Sequence, residues 1–413
     1  MFLSGNSSLV RRRFAGLLVL AASFALTGCG PTGAPGLNPF APPAGLQTQQ
    51  PSDQTPESAD TIGSGPIRVG LILPMTQASG PSAVGVSLRR AAELAYADSG
   101  GNDVTILVKD DQSTPDAARE AAKAALGEGA EIILGPLFGP NVREAARLAR
   151  GAGKSMIAFS TDSGVAQRGV YLLSFLVENY VDRIVDYAAS RGKKSFAALV
   201  PDNDYGRVAE AEFQGVAARR GVRVQGIEHY APGGAGEAAK KIASLGDQID
   251  ALFIPDQADA MASVAQALTA AGIGGGKIQI LGTGVWNDAR VLRMPALQGA
   301  WFATPENGGF NNFAARYRQK FGADPTRIAT LAYDATSLVA ALARQQGARG
   351  FGESALTNPS GFNGADGVFR FRPDGTNERG LAVLQIANGS VTVLSAAPKS
   401  FSGASDGSQA RLN

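Results

Sequence analysis

The sequence predicts an α/β fold with two doubly wound parallel-sheet lobes joined by three crossovers. Residues 130–162, AEIILGPLFGPNVREAARLARGAGKSMIAFSTD, have the pattern of a strand, a loop, a helix, a strand and a loop. Two strands joined by a helix are parallel, and the crossover is right-handed. The same alternation continues on both sides of this stretch. With 413 residues, 44% of them hydrophobic and 18% charged, the chain is long enough to form more than one hydrophobic core.

The first set of elements begins at residue 67. Its apolar runs and helical spacings predict a strand at 67–73, a helix from 80 to 98, a strand at 104–108, a helix at 115–126, a strand at 130–134, a helix at 141–150, and strands at 154–159 and 170–174. The loops at 135–140 and 160–163 then lie at the carboxyl edge of one sheet. In open α/β sheets that edge is where ligands bind.

A second set of similar size begins at residue 178. It comprises helices at 178–191, 205–220, 236–245 and 258–270, which alternate with strands at 195–200, 222–228, 251–254 and 278–281. This alternation predicts a second doubly wound unit.

The last part of the chain predicts pieces that complete the two sheets rather than a third unit. They are a strand at 299–303, helices at 310–321 and 326–346, and two strands at 361–372 and 381–386 that pair through Pro373-Asp374-Gly375. The chain would cross between lobes near 174–178, 303–306 and 346–352. Lobe 1 would then cover about 66–175 and 304–347, and lobe 2 about 176–303 and 348–398. Several crossings place a cleft between the lobes, and such hinges permit closure.

Residues 1–28 predict a signal peptide. Three arginines at 11–13 precede an apolar run that is too short to span a bilayer, and the run ends at Leu26-Thr27-Gly28-Cys29. This ending resembles the lipobox of bacterial lipoproteins, which implies acylation of Cys29 and stable anchoring to a membrane. Gly30 follows the cysteine, and the lipoprotein sorting rule then favours the outer membrane. Residues 29–65 are rich in Pro, Gly and Gln, which predicts a disordered tether, and residues 399–413 predict a flexible tail.

Composition excludes several classes of function. The formal net charge is +2, and three of the basic residues belong to the signal peptide, so no basic surface for nucleic acid is expected. Cys29 is the single cysteine and His229 the single histidine, which argues against an intramolecular disulfide, a multi-histidine metal site or a histidine-rich catalytic centre. No cofactor is expected.

Four phrases resemble the leucine-binding branch of the type I periplasmic binding proteins. They are VGLILPMTQASGPSAVG at 69–85, VKDDQSTPDAA at 108–118, VPDNDYG at 200–206 and GVFRFRPDG at 367–375. Within that fold the chain also resembles the penicillin-binding-protein activator lipoproteins, through IILGPLFGPNV at 132–142, AFSTD at 158–162, YLLSF at 171–175, DALFIPDQADAM at 250–261, and GTGVWND and LQGAWFATP at 282–288 and 297–305.

The second resemblance implies a non-enzyme that binds a class A penicillin-binding protein and stimulates peptidoglycan synthesis from the outer membrane. The chain lacks the helical-repeat domain that precedes this domain in the enterobacterial members of the subfamily. Its reach across the periplasm would therefore be shorter.

The first resemblance implies the residues of a ligand cleft. Ser160 and Thr161 match hydroxyls that hold the ligand carboxylate in amino-acid-binding relatives, and Tyr205 matches an aromatic residue of the second lobe. Asp162 would repel a carboxylate unless it is paired. Phe138 fits the cleft mouth, a partner surface or local packing equally well.

Trp286 stands where amine-binding relatives have a polar cage, so a free α-amino acid is a poor candidate ligand. The indole either stacks in the cleft or packs between the lobes. Asp110 and Asp111 are adjacent at a strand end and would point to opposite faces, which favours a structural role over acid–base work.

Two functions remain open. One is the peptidoglycan-synthase regulator. The other is a solute-binding lipoprotein of an ABC transporter, with a small polar ligand such as an amino acid, amide or peptide in the cleft. An enzyme is disfavoured because no nucleophile, base and orienting residue occur together.

Overall fold

The computed structural model of the chain describes residues 60–274 and 276–401. The predicted signal peptide, Cys29, and most of the predicted tether and tail lie outside the described residues. The tether prediction is wrong for its last residues, because Thr61–Ile62 is a strand that pairs antiparallel with Val104–Asp110. At the other end the ring of Phe401 lies 4.6 Å from the guanidinium carbon of Arg370.

The first lobe is built on a six-stranded sheet. Its elements are β1 (Thr61–Ile62), β2 (Ile67–Leu73), β3 (Thr76–Gln77), β4 (Gly80–Pro81), α1 (Ala83–Asp98), β5 (Val104–Asp110), α2 (Pro115–Gly127), β6 (Ile132–Leu134), α3 (Gly139–Gly151), β7 (Ser155–Ala158) and β8 (Val170–Leu172). The strand order is β1-β5-β2-β6-β7-β8, in which only β1 is antiparallel, and β3 and β4 form a separate small hairpin.

Polar caps start α1 and α2, the first two helices of this lobe, where the preceding strands end. The Ser82 hydroxyl accepts a hydrogen bond from the Gly85 N–H and begins α1. The Thr114 hydroxyl does the same for the Ala117 N–H, and Pro115 occupies the first turn of α2. Each cap satisfies an N–H group that has no partner inside the helix, so the local sequence fixes where each helix begins.

The second lobe contains the next elements of the chain. They are α4 (Val177–Ser190), β9 (Ser195–Pro201), α5 (Asp204–Arg220), β10 (Arg223–Tyr230), α6 (Ala235–Ser244), β11 (Ala251–Phe253), α7 (Met261–Ala270), β12 (Gln279–Gly282), α8 (Ala289–Leu292) and β13 (Trp301–Thr304). Strands β10, β9, β11, β12 and β13 are parallel in that order.

The chain then returns to the first lobe with α9 (Asn307–Phe321), α10 (Ala329–Gln346), α11 (Glu353–Leu356), β14 (Phe362–Gly364), β15 (Gly367–Phe371) and β16 (Asn377–Arg379). It ends in the second lobe with β17 (Ala382–Ala387) and β18 (Ser390–Ser395), which extend the sheet to seven strands by pairing antiparallel after β13.

The end of the chain differs from the sequence prediction in two respects. Residues 361–372 and 381–386 do not pair: β15 lies between β14 and β16 in a three-stranded sheet, and Pro373-Asp374-Gly375 joins β15 to β16. The third crossing falls between Arg379 and Ala382 instead of at 346–352. Phe351, Phe369 and Phe371 pack in the core of the first lobe, so residues 347–379 belong to that lobe rather than to the second.

Each sheet has a buried hydrophobic core on both faces. In the first lobe α1, α9 and α10 cover one face, and α2 and α3 cover the other. In the second lobe α6 and α7 cover one face, and α4 and α5 cover the other. The predicted doubly wound α/β fold is thereby confirmed. The first two crossings run from Ser174 to Val177 and from Thr304 to Asn307.

Candidate functional site

A cleft of about 1180 Å³ lies where residues of both lobes face each other. The first lobe contributes the loops after β6 and β7 and the segment around the start of α10. The second lobe contributes the start of α5 and the loop after β12. Phe138, Ser160, Thr161, Asp162 and Tyr205, five of the six cleft residues expected from the sequence, line it together.

The loop after β6 turns sharply before α3. Gly135 has φ of 78°, and a Cβ atom there would lie 2.0 Å from the carbonyl oxygen of Ile72. Only glycine fits such a position. The turn places Phe138 at the cleft mouth, directly before α3, and 43% of its surface is exposed.

The loop after β7 holds its own polar groups in place. The Asp162 N–H donates to the Ser160 hydroxyl at 3.1 Å, and the Gly164 N–H donates to Asp162 Oδ1 at 3.0 Å. Arg143 Nη2 donates to Asp162 Oδ2 at 2.6 Å. Asp162 is therefore paired, which removes the repulsion that the sequence alone suggested for a ligand carboxylate. Ser160 retains its hydroxyl hydrogen for donation.

Tyr205 begins the opposite wall. The Asn203 side chain caps α5 through the Gly206 N–H and so fixes the first turn of the helix. The Tyr205 hydroxyl lies 2.8 Å from Thr283 Oγ1, which joins the start of α5 to the loop after β12. Burial raises the pKa of Tyr205, so the phenol stays neutral.

Trp286 does not line the cleft. Its indole is fully buried in the core of the second lobe, beside residues such as Ile254, Met261 and Val291. The indole Nε1 donates to the backbone carbonyl oxygen of Asp256 at 3.2 Å. The neighbours Val285 and Asn287 line the cleft, whereas the indole of Trp286 is buried in the core. The expectation that Trp286 is a cleft residue is wrong.

Every carboxylate in the cleft lining already has an arginine partner. Besides Asp162 with Arg143, Asp204 pairs with Arg207, and Asp288 with Arg290. Each of these carboxylates is therefore part of an ion pair before a ligand enters the cleft.

Several lining residues were not predicted as cleft residues. They include four aromatic residues and one arginine: Phe159, Phe175, Tyr180, Phe310 and Arg327. Burial raises the pKa of Tyr180 to about 12. Phe159 and Phe175 lie in the phrases AFSTD and YLLSF, so strand ends at the carboxyl edge could have identified them. Phe310 lies on α9 and Arg327 lies just before α10, in a part of the chain that the sequence assigned to the first lobe without indicating which of its side chains face the cleft.

The remaining polar candidates have structural roles. Asp110 accepts hydrogen bonds from the Met75 and Thr76 N–H groups, and Asp111 is buried against Asn141. His229 Nε2 lies 2.7 Å from Glu210 Oε2 on the surface. Within 60–274 and 276–401 no group of three or more His, Cys, Asp or Glu side chains could hold a metal ion. In the same part of the chain no helix has the length and apolar character to cross a bilayer.

Two α/β lobes that are linked by three chain crossings and enclose a lined cleft define a bilobed ligand-binding protein. Residues 66–390 match the family described as periplasmic binding protein, and the chain belongs to that family. Its members bind ligands and are not catalytic, so the chain is not an enzyme, as predicted. Membership also implies a periplasmic location.

Solved structures share this fold at low sequence identity. A candidate branched-chain amino acid ABC transporter protein from Rhodospirillum rubrum is 21% identical, with a TM-score of 0.69, over 79% of this chain and 99% of that one. The leucine-binding protein LivK of Thermotoga maritima is 21% identical, with a TM-score of 0.57, over 80% and 98%. A solute-binding protein of an R. palustris ABC transporter, in complex with benzoate, is 19% identical, with a TM-score of 0.57, over 81% and 97%. A search of curated proteins finds no match.

Proposed function

We propose that this protein is the solute-binding component of an ABC transporter and captures a small molecule between its two lobes. The observation that carries the proposal is the cleft itself, because loops from the carboxyl edges of both sheets line a volume that exceeds that of a small metabolite. The solved structures that share this fold include solute-binding proteins of ABC transporters, and this similarity supports the same function.

The chemistry of the lining favours a ligand with an apolar or aromatic body. Six aromatic side chains line the cleft, from Phe138 at the mouth to Tyr180 beside the first crossing. Aromatic walls contribute large contact areas and prefer flat or branched apolar partners. Since each lining carboxylate has an arginine partner, its negative charge is partly compensated, which makes the lining less attractive to a cationic head group.

Titration of the purified chain with solutes, followed by isothermal calorimetry and small-angle scattering, tests this function. Binding should be accompanied by a smaller radius of gyration, because closure brings the lobes together. Failure of small solutes of every charge class to bind would refute the function.

We further propose that acylated Cys29 anchors the protein to the outer membrane and that the segment up to residue 59 acts as a tether. This rests on the lipobox at 26–29 and on Gly30. Labelling with palmitate, followed by membrane fractionation of the natural chain and of Cys29→Ser, tests it. The variant should lose both the label and the membrane association.

A regulator of a class A penicillin-binding protein is the second candidate. The local phrases at 132–142 and 158–162 support it, and so does Phe138, a large apolar side chain that is exposed beside the cleft. The solved structures that share this fold support the transporter function better than the regulator function. Pull-down from detergent-solubilised envelope separates the two candidates: recovery of a peptidoglycan synthase supports the regulator, and recovery of transporter subunits supports the solute-binding protein.

A further inference from the structure

One arginine in the cleft wall is held rigidly in place by other protein groups. Arg327 lies between α9 and α10, and 40% of its side chain is exposed. Its Nη1 and Nη2 donate to the two carboxylate oxygens of Asp366 at 2.9 and 2.7 Å. Its guanidinium carbon lies 4.6 Å from the ring centroid of Phe310 and 4.8 Å from that of Phe175.

These contacts orient the guanidinium before any ligand arrives. A bidentate carboxylate fixes its plane, and the two rings limit its movement. Arginine has five N–H donors. The pair with Asp366 accounts for the only side-chain hydrogen bonds of Arg327 within the described chain, so N–H groups remain for a molecule in the cleft. A pre-oriented donor loses little entropy when it binds a ligand.

Arg327 is the outermost member of a charge cluster, which we define as Arg327, Asp366, Arg379 and Asp334. The other three members are buried. Asp366 is 1% exposed, Asp334 3% and Arg379 5%. Arg379 Nε donates to the Ser174 carbonyl oxygen, but its Nη1 and Nη2 have no hydrogen-bond partner among the described residues. Asp334 Oδ1 accepts from the Ala365 N–H, and its Oδ2 is unpartnered within the described chain.

The cluster therefore has two guanidinium groups and two carboxyl groups. Only the carboxylate of Asp366 is hydrogen-bonded to a guanidinium, that of Arg327. Burial raises the pKa of Asp334 to about 7, so near neutral pH this carboxyl is only partly ionised and the cluster keeps a partial positive excess. The one member of the cluster that lines the cleft is Arg327. An anionic group in the cleft would compensate this excess at that residue.

We propose that Arg327 binds the carboxylate of the cleft ligand, and that the ligand is a monocarboxylate with an apolar or aromatic body. This deepens the proposed function and depends on it. Ile328 and Leu331 continue the wall beside Arg327 with apolar surface, which suits the body of such a molecule. The sequence predicted only the hydroxyls of Ser160 and Thr161 as groups that hold a ligand carboxylate. The proposal adds the guanidinium of Arg327 to them.

Arg207 is the other arginine in the lining, and it provides a matched control. Its side chain is 64% exposed and pairs with Asp204, whose side chain is 94% exposed. No aromatic ring among the described residues lies over its guanidinium. An exposed pair of this kind is screened by water and contributes little. Arg207 is thus a cleft arginine without the fixed orientation of Arg327.

Calorimetry on the full-length chain in detergent micelles tests the proposal with three acid and amide pairs: benzoate and benzamide, phenylacetate and phenylacetamide, and 4-methylpentanoate and its amide. At least one acid should bind about tenfold or more tightly than its amide. Arg327→Gln should weaken that acid about tenfold or more and leave the amide unchanged, since it removes a charge-assisted hydrogen bond. Arg207→Gln should change neither affinity by more than about twofold.

Arg327→Gln leaves the Asp366 carboxylate buried without its partner, so a second variant is needed. Arg327→Gln/Asp366→Asn keeps the pair neutral, and circular dichroism with thermal melting establishes that it folds. This variant should show the same selective loss of the acid. Equal affinity for acid and amide, unchanged binding of the acid by both variants, or equal losses for acid and amide would overturn the inference and leave the proposed function standing. Absence of binding to every solute, neutral or charged, would refute the proposed function and the inference with it.

Discussion

The Trp286 indole donates a hydrogen bond to the Asp256 carbonyl oxygen at 3.2 Å, inside the core of the second lobe. Trp286→Ala should therefore lower the free energy of unfolding by about 3–5 kcal/mol, because it leaves a cavity. Trp286→Phe keeps much of the packing and should cost less, mainly through the lost hydrogen bond, about 1–3 kcal/mol. Urea denaturation, followed by far-ultraviolet circular dichroism so that the signal does not depend on tryptophan, measures the stability of both variants. Unchanged stability with loss of ligand binding would instead place the indole in the cleft.

The Tyr205 and Thr283 hydroxyls form a hydrogen bond that joins the start of α5 to the loop after β12 in the second lobe. Tyr205→Phe should lower the free energy of unfolding by about 1–3 kcal/mol, because Thr283 is fully buried and loses its partner. The double variant Tyr205→Phe/Thr283→Val removes both polar groups and should recover part of this loss. A double-mutant cycle from denaturant titrations measures the coupling. Additive effects of the two changes would contradict a direct hydrogen bond.

Asp334 should make stability fall as the pH rises towards neutrality. Its pKa is about 7 in the folded chain, raised by burial and moderated by Arg379, against 3.8 for an aspartate exposed to water. Between these two values the folded state holds a proton that the unfolded state has lost, so raising the pH lowers the free energy of unfolding. The loss is complete above the folded pKa and amounts to at most about 4 kcal/mol.

Asp334→Asn isolates this contribution, because the amide stays neutral and retains an acceptor for the Ala365 N–H. The groups that face Asp334 are Arg379, Asp366 and Arg327, and they are unchanged in the variant. Denaturation of both chains from pH 4.5 to 8 should give curves that diverge as the natural chain loses stability with rising pH. Parallel curves would show that Asp334 does not titrate in this range.

Phe138 should matter for closure and not for folding. Because 43% of its surface is exposed at the cleft mouth, Phe138→Ser should change the free energy of unfolding by no more than about 0.5 kcal/mol. Val208, on α5 across the cleft, is also exposed, and closure would bring these two apolar surfaces out of water. Scattering with and without a bound solute measures closure. A large loss of stability in the variant would mean that Phe138 is a packing residue.

The sequence was informative where local patterns determine the outcome. The strand–loop–helix pattern of 130–162 predicts β6, α3 and β7 and places Phe138, Ser160 and Thr161 at the edge that lines the cleft. The turn at Gly135 and the cap at Asn203 are local devices of the same kind. Such signals act over a few residues, and a sequence displays them directly.

Pairings over long distances were less predictable. The apolar run at 381–386 looks like a partner of 361–372, but β17 pairs with β13, which precedes it by about eighty residues of chain. Trp286 shows a related difficulty, since a single residue in an irregular loop can face the cleft or the core, and no periodicity decides between the two. The charge cluster joins Arg327 before α10, Asp334 on α10, Asp366 between β14 and β15, and Arg379 at the end of β16. Hydrophobic patterns do not encode contacts between residues so far apart in the chain. An aspartate within the apolar helix 329–346 was the cluster's one visible signal.

The strand β1 pairs with β5 at the edge of the first lobe and makes this lobe the point of attachment for everything upstream of residue 60. Any pull on the preceding chain therefore reaches the first lobe directly, and it reaches the second lobe only through the three crossings. The load on the N-terminal side is thus separated from the hinges about which the lobes would close.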